Sequence, residues 1–388
     1  MPRKTEKKAP QAEQEQDELP AQNEAGPTQR EAIILHPGSS YLYVGFASDS
    51  APQAIPHLIA YHQSGPRDPQ QTNDAENPSL VLEYKTEITD ELKSQREEGL
   101  EAVRRALKDY RRSLDVAGRD VDTAEYTEFN QRQGPAERES SELSLTDLSG
   151  NPTFVIGSEV LYLPPDSGYQ VYKPIRNGRL HIPPSHSLSS VLSMLEDLWT
   201  HAIEDYLDLP RKEFKSCQVV LLVPDAIDRQ LLKEMMNVVF RMEFAAAILH
   251  QESVCATYSA GLSSACVVDV GDEVTHICCV EDGMSNPNTR VILNYGGSDI
   301  TRLFYWLVNQ SGFPYRECRR DSCLDGVLLQ QLKESICHMD ATQHGVHDYQ
   351  FSVMSKTPGK IAGLRHKAVG RGPLGSHGRL LSFVLLSP

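Results

Sequence analysis

Two short turns hold the residues best suited to gripping phosphate. His36-Pro37-Gly38-Ser39-Ser40 and Asp269-Val270-Gly271-Asp272-Glu273 each place glycine and small polar or acidic residues between apolar, extended runs. Backbone N–H groups at such tips form anion-binding concavities, and two tips facing each other across a cleft would hold a phosphate chain. Taken singly, either is an ordinary hairpin connection. Four further groups could do ionic or acid–base chemistry, and each has a structural alternative. His276 lies on an alternating run, where a histidine commonly serves the core or an edge. Glu252 directly precedes a helix starting at Ser253, where a carboxylate complements the helix dipole. Lys333 and Glu334 are neighbours, so on a helix they point about 100° apart and could be ordinary solvated charges.

The elements that must position these groups alternate. Ile33-Ile34-Leu35 and Tyr41 to Ala47 read as two strands of a hairpin. Ser187 to Leu207 has Val191, Leu195, Leu198, Ala202 and Tyr206 at helical intervals, with Ser187 or Ser189 as its cap. A buried strand at Val219 to Val223 follows, then a helix over Ile227 to Met242, a short apolar run at Phe244 to Leu249 and a helix over Ser253 to Gly261. Strands at Ala265 to Val270 and Val274 to Val280 lead to Gly296-Gly297-Ser298-Asp299 and a helix over Ile300 to Val308. This alternation predicts an α/β fold, sheets flanked by helices.

Two regions break the pattern. From Gln63 to Asn151 the chain is polar, and only Glu91 to Leu114 has helical spacing, so the segment reads as an insertion. Tyr349 to Pro388 carries Lys356, Lys360, Arg365, Lys367, Arg371 and Arg379, no acidic residue and many glycines, and reads as a basic, disordered tail. Residues Met1 to Arg30 have Leu19 as almost their sole apolar side chain and read as a disordered arm.

Composition bounds the function. A chain of 388 residues with 39% apolar residues can bury a sizeable core. There is no apolar run approaching the roughly eighteen residues of a membrane span, so a soluble, intracellular protein is expected. The net charge of −15 excludes a surface that coats nucleic acid throughout, leaving DNA contact to patches such as Arg104-Arg105 and Arg111-Arg112 or to the tail. Eight cysteines without a CxxC pair read as reduced, structural thiols.

Order and spacing together resemble the actin superfamily from Ala32 to Asp340. Val267-Val268-Asp269-Val270-Gly271-Asp272 resembles its second phosphate loop, and Val274-Thr275-His276 the strand whose histidine positions an attacking water. Glu252, ten residues inclusive before Gly261, stands where actins carry a water-orienting Gln and related chaperone ATPases a Glu. Leu332-Lys333-Glu334-Ser335-Ile336-Cys337 resembles the helix whose Lys and Glu flank the nucleoside. The runs at His36, at His250-Gln251-Glu252-Ser253-Val254-Cys255-Ala256-Thr257-Tyr258, at Tyr295-Gly296-Gly297-Ser298-Asp299 and at Gly312-Phe313-Pro314-Tyr315-Arg316-Glu317-Cys318 are most similar to a nuclear, actin-related branch of that family.

The resemblance implies an actin-like, two-lobed fold built on a ribonuclease H-like repeat. Its first lobe would span 31–265 with the insertion at 63–151, its second would start at 266–348 and remain incomplete, and 349–388 would be the tail. It implies ATP and Mg²⁺ as ligands. Ser39, Ser40, Val270, Gly271 and Asp272 would meet the phosphates, Asp269 would hold the Mg²⁺ water shell, Lys333 and Glu334 would flank the nucleoside, and Glu252 and His276 would order water. Two departures weaken hydrolysis: His36 stands where actins have an Asp and Tyr43 where they have a phosphate-binding Lys. The Gly-Gly loop that covers adenine in the last third of the family fold is also missing. The implied function is therefore a non-polymerising scaffold subunit of an Ino-eighty type chromatin remodeller in the nucleus. It would contact the remodeller ATPase, other actin-related subunits, histones and nucleosomal DNA, in transcription and DNA repair. A weak stand-alone ATPase is the alternative, and a sugar kinase lacks a candidate catalytic Asp.

Overall fold

The computed structural model describes residues 32–62, 123–133, 136–142, 144–164, 167–310, 312–318, 322–337, 344–354 and 360–371, with four isolated helical positions between 94 and 105. The arm at 1–30 lies outside the described residues, as do the basic pairs Arg104-Arg105 and Arg111-Arg112 apart from Arg105 and, those four positions aside, the helix expected over Glu91 to Leu114.

A five-stranded sheet carries the first half. It contains β1 (Ala32–Pro37), β2 (Tyr41–Phe46), β3 (Gln53–Pro56), β10 (Gln218–Val223) and β11 (Ala246–Gln251) in the order β11-β10-β1-β2-β3. The hairpin β1–β2 is antiparallel, with His36 opposite Tyr43, whereas β1 runs parallel to β10. Alternation in β1 and β10 turns Ile33, Leu35, Val219 and Leu221 into the core, all fully buried. Two helices cover this core. The long helix lies at Leu188–Leu207, capped by Ser187 accepting from the Ser190 N–H, and contributes Leu195, Leu198 and Trp199. The helix at Arg229–Arg241 starts where the Asp228 carboxylate accepts from Gln230 N and Leu231 N, and it buries Leu231, Met235 and Val238. Those two caps replace backbone partners that every helix start lacks.

Between these halves come β4 (Ile59–His62), helix α1 (Thr123–Arg132), β5 (Ala136–Glu142), β6 (Phe154–Ile156), the short helix α2 (Ser158–Leu161), β7 (Tyr169–Tyr172), β8 (Ile175–Arg176) and β9 (Arg179–Leu180). The helix at Leu188–Leu207 is thus α3 and that at Arg229–Arg241 α4. After β11 the chain forms α5 (Glu252–Ser259) and a second sheet of β12 (Ala265–Val270), β13 (Thr275–Glu281), β14 (Met284–Ser285) and β15 (Val291–Leu293), with β13 paired to all three others. Helices α6 (Gly297–Gln310) and α7 (Cys323–Ile336) pack through Phe304, Val308, Leu329, Leu332 and Ile336. No helix among the described residues is long and apolar enough to cross a membrane.

Two expectations are corrected. The tail expected to be disordered from residue 349 instead enters a hairpin of β16 (His344–Met354) and β17 (Lys360–Arg371), so the boundary at 348 cuts through a strand. Phe351, Val353 and Leu364 are buried against the α6–α7 core, which gives this hairpin an apolar side despite its charge; residues 372–388 lie outside the described part. The expected insertion at 63–151 is likewise not featureless, because it contains α1 and β5, and β5 pairs with β17. The sequence of β5, AERESSE, has no apolar alternation, so only backbone pairing with a distant strand makes it extended.

Candidate functional site

The first turn is tight. Gly38 N donates to Tyr41 O at 2.8 Å, and a Cβ at Gly38 would lie 3.0 Å from that oxygen. Behind it, Trp199 Nε1–H donates to His57 Nε2 at 3.1 Å, which leaves the His57 Nδ1–H to donate to Gly38 O at 2.6 Å. Burial pushes His57 down to about 4, so the ring is neutral and its tautomer is set by these two bonds. Ser39 and Ser40 are half-buried, and neither hydroxyl is engaged by another described residue.

The second turn joins β12 to β13, with Gly271 N donating to Val274 O at 3.1 Å. The start of α6 docks on it: Gly297 N donates to Gly271 O at 2.9 Å and Ser298 N to Asp272 O at 2.7 Å. A Cβ on Gly296 would come 2.4 Å from Gly271 O, so the approach requires glycine there. From the other side, Lys173 Nζ reaches Asp272 at 3.2 Å and Glu273 at 2.9 Å, and Glu273 also accepts from Asn177 N at 2.5 Å. Lys173 and Glu273 are both buried. This buried pair locks the turn to the β7–β8 connection, and charges so desolvated persist only when paired and hydrogen-bonded.

A third group joins the two turns. His36 Nε2 lies 2.8 Å from Glu252 Oε1, and ligand atoms of Glu252, Asp269 and His276 all lie within 4.8 Å of one another. The carboxyl of Asp269 is pushed up, first by burial and then by Glu252, against opposing pulls from His276 and His36. Asp269 is exposed as a residue, while its carboxyl sits beside Glu252 and His276. Glu252 is the first residue of α5, whose start is held by Asp225: Ser253 Oγ donates to it at 2.6 Å. The dipole role foreseen for Glu252 and its placement beside His36 thus coexist.

Lys333 on α7 donates to Gly297 O at 3.2 Å, and burial pushes it down against the opposing pull of Asp272 and Glu334. Tyr41 is pushed up by burial, then by Glu334, Tyr43 and Asp272, so the first hairpin, the second turn and α7 share one electrostatic neighbourhood. Glu334 accepts from Gln330 Nε2 at 2.5 Å. Val270 is 58% exposed, and because it stands opposite Thr275 at a non-hydrogen-bonded pair its N–H is not used by the β12–β13 ladder.

The structure therefore brings His36, Glu252, Asp269 and His276 into one cluster and Asp272, Gly297 and Lys333 into an adjoining one. Sequence reasoning missed Lys173, Glu273 as its partner, Asp225 and His57. Of these only Asp225 carried a local signal, the Pro224-Asp225 step after an apolar strand.

A mixed α/β chain with two Gly-tipped hairpins converging on paired carboxylates defines the class. The Actin family profile matches residues 28–325, and the chain belongs to the actin family and has its fold. Within that family it is similar to human actin-related protein 8, 41% identical over 325 residues, which are 83% of this chain and 51% of that protein. The Danio rerio protein of the same name is 42% identical over 323 residues (82% and 51%), and the Aedes aegypti one 36% over 325 (83% and 56%). The chain thus spans about half the length of the curated relatives it matches. Among solved structures, human actin-related protein Arp8 in its ATP-bound state is 36% identical with a TM-score of 0.79, covering 92% of this chain and 71% of that one.

Proposed function

We propose that this chain binds ATP between its two hairpins as a structural ligand and acts as a nuclear scaffold subunit of an Ino-eighty type chromatin remodeller. The observation that carries the nucleotide part is the convergence of the two turns: His36 of the first touches Glu252, which faces Asp269 of the second. The residues fit the ligand. The hydroxyls of Ser39 and Ser40 and the buried Ser298 Oγ have no partner among the described residues. ATP bound to a similar protein, human Arp8, supports the same reading.

In this reading Ser39 and Ser40 donate to phosphate oxygens, the Val270 amide supplies a further N–H, and Asp269 would hold Mg²⁺ through water. Mg²⁺ supplies charge neutralisation between phosphates and carboxylates. Turnover is slow, because His36 already engages Glu252 and removes a carboxylate from the cation side. Loss of one placed group commonly lowers phosphoryl-transfer rates by about 10² to 10³, roughly 3 to 4 kcal/mol. A ligand that is bound and not consumed stabilises the fold by mass action.

The scaffold part rests on the likeness to actin-related protein 8. In this reading the partners are the remodeller ATPase and actin-related subunits, histones and nucleosomal DNA, with transcription and DNA repair as the setting. Calorimetric titration with ATP and Mg²⁺ tests the nucleotide part: binding is expected, and Asp269→Ala should weaken it at least tenfold. The second reading, a weak ATPase, is favoured by the Glu252–Asp269–His276 grouping. Single-turnover hydrolysis that Asp269→Ala abolishes would select it.

A further inference from the structure

The hairpin that carries Asp269 and His276 also carries two thiols in register. Cys266 on β12 lies directly opposite Cys279 on β13. Gly271 N bonds to Val274 O at the turn, so hydrogen-bonded pairs recur at Asp269/His276 and Val267/Cys278, and the pairs between them, Val268/Ile277 and Cys266/Cys279, are not hydrogen-bonded. The backbone of Cys279 agrees: its N–H donates to Thr289 Oγ1 at 3.0 Å and its C=O accepts from Asn286 N at 2.9 Å, both away from β12. At such a pair the Cα atoms are about 4.5 Å apart and the side chains are closer than at other positions. That spacing falls within the range a disulfide spans.

Placed opposite each other on the ladder, the two thiols feel one another, and the Cys279 thiol pushes the Cys266 thiol up. Cys266 is exposed, whereas Cys278 is buried with its Sγ 3.1 Å from Ser285 Oγ, on the opposite side of the strand. A reagent from solvent therefore reaches Cys266 first and finds Cys279 as its nearest thiol.

We propose that Cys266 and Cys279 form a reversible cross-strand disulfide when the protein meets a hydroperoxide. The Cys266 thiol, pushed up by its neighbour, reacts through its minority thiolate: an S–O bond forms to the peroxide, the O–O bond breaks, and the hydroxide or alkoxide that leaves takes the proton the thiol released. The sulfur is oxidised by two electrons and the peroxide reduced by two. The Cys279 sulfur then displaces hydroxide from the Cys266 sulfenic acid, forming the S–S bond and releasing water with its own proton. A dithiol reverses the bond by exchange. Side chains alternate along a strand, so this bond lies on the face opposite Asp269 and His276. It ties the base of their turn without entering the cleft, and it requires no bound nucleotide.

The test uses the purified full chain, treated with hydrogen peroxide, alkylated, and cleaved after acidic residues, which separates Cys266 from Cys279 at Asp269, Asp272 and Glu273. The expected product is one linked peptide pair lighter by two hydrogens, restored by dithiothreitol. The linked pair should be absent in both C266S and C279S and present in C255S. Amide exchange over residues 270–275 should slow on oxidation and recover on reduction. Separate alkylation of both thiols after peroxide, persistence of the cross-link in C266S, or a bond to Cys255 or Cys278 instead would overturn the proposal.

Discussion

Two buried side chains at the residue scale carry measurable consequences. Lys173 and Glu273 form an ion pair out of reach of water, with Arg176 Nε a further 3.8 Å from the same carboxylate. Lys173→Met leaves Glu273 buried without its main partner, and breaking such a pair costs about 3 to 5 kcal/mol. Thermal denaturation of K173M should show a marked fall in Tm, and K173M/E273M should recover a large part of it; a double variant no better than the single one would contradict the pairing. His57 gives a pH signature. Its folded-state value, about 4, lies below the ordinary 6.5, so the unfolded chain takes up the proton first as pH falls. The contribution is intact above 6.5 and is lost progressively towards pH 4, by roughly 3 kcal/mol. His57→Gln keeps a donor and an acceptor without titrating, so urea denaturation across that window should show a shallower pH slope for H57Q than for the unaltered chain. None of this was legible in the sequence, because neither Lys173 nor His57 belongs to a spacing pattern; what makes each important is a partner about a hundred or more positions away.

Elements were more readable where their order is local. The helix at 188–207 announced itself through Ser187 and its apolar stripe, and the β12–β13 hairpin through alternation around Val270-Gly271-Asp272. The β16–β17–β5 sheet was not readable, since Ala136 is the one apolar residue of β5 and its partner lies more than two hundred residues downstream. The candidate cluster was partly visible: Asp269, Glu252 and His276 follow from motif order, whereas the direct His36–Glu252 contact depends on how α5 meets the first hairpin. One prediction belongs to this scale. Gly296 and Gly297 look alike in sequence, but a Cβ at 296 would meet Gly271 O at 2.4 Å and one at 297 nothing nearer than Asp272 Oδ1 at 3.7 Å. G296A should therefore displace the α6 start from the second turn and lose the ATP-dependent rise in Tm, while G297A should retain it. Equal behaviour of the two variants in a thermal-shift titration would mean that the docking of α6 on the turn does not hold the site together.

At the scale of the whole molecule, the two sheets that carry the His36–Ser40 and Asp269–Glu273 turns are asymmetric. Each is built on an antiparallel hairpin, and in the first β1 gains a parallel neighbour, β10, on its other side. In the second, β12 pairs with β13 alone among the described residues. Its Val268 and Val270 are 57% and 58% exposed, and Ile248 and Leu249 on β11, at the edge of the first sheet, are also exposed. An exposed edge rich in β-branched residues offers both unpaired backbone groups and apolar surface, the combination that drives strand-to-strand association. The net charge of −15 opposes this by long-range repulsion, which salt screens with a Debye length of about 8 Å at physiological ionic strength. Self-association of the purified chain should therefore rise with both protein and salt concentration. Replacing Val268 by Lys puts a charge on the edge without touching the Asp269 side of the strand, and should shift the distribution towards monomer in light scattering while ATP binding is unchanged. If V268K associates as strongly as the unaltered chain, the adhesive surface is not the β12 edge.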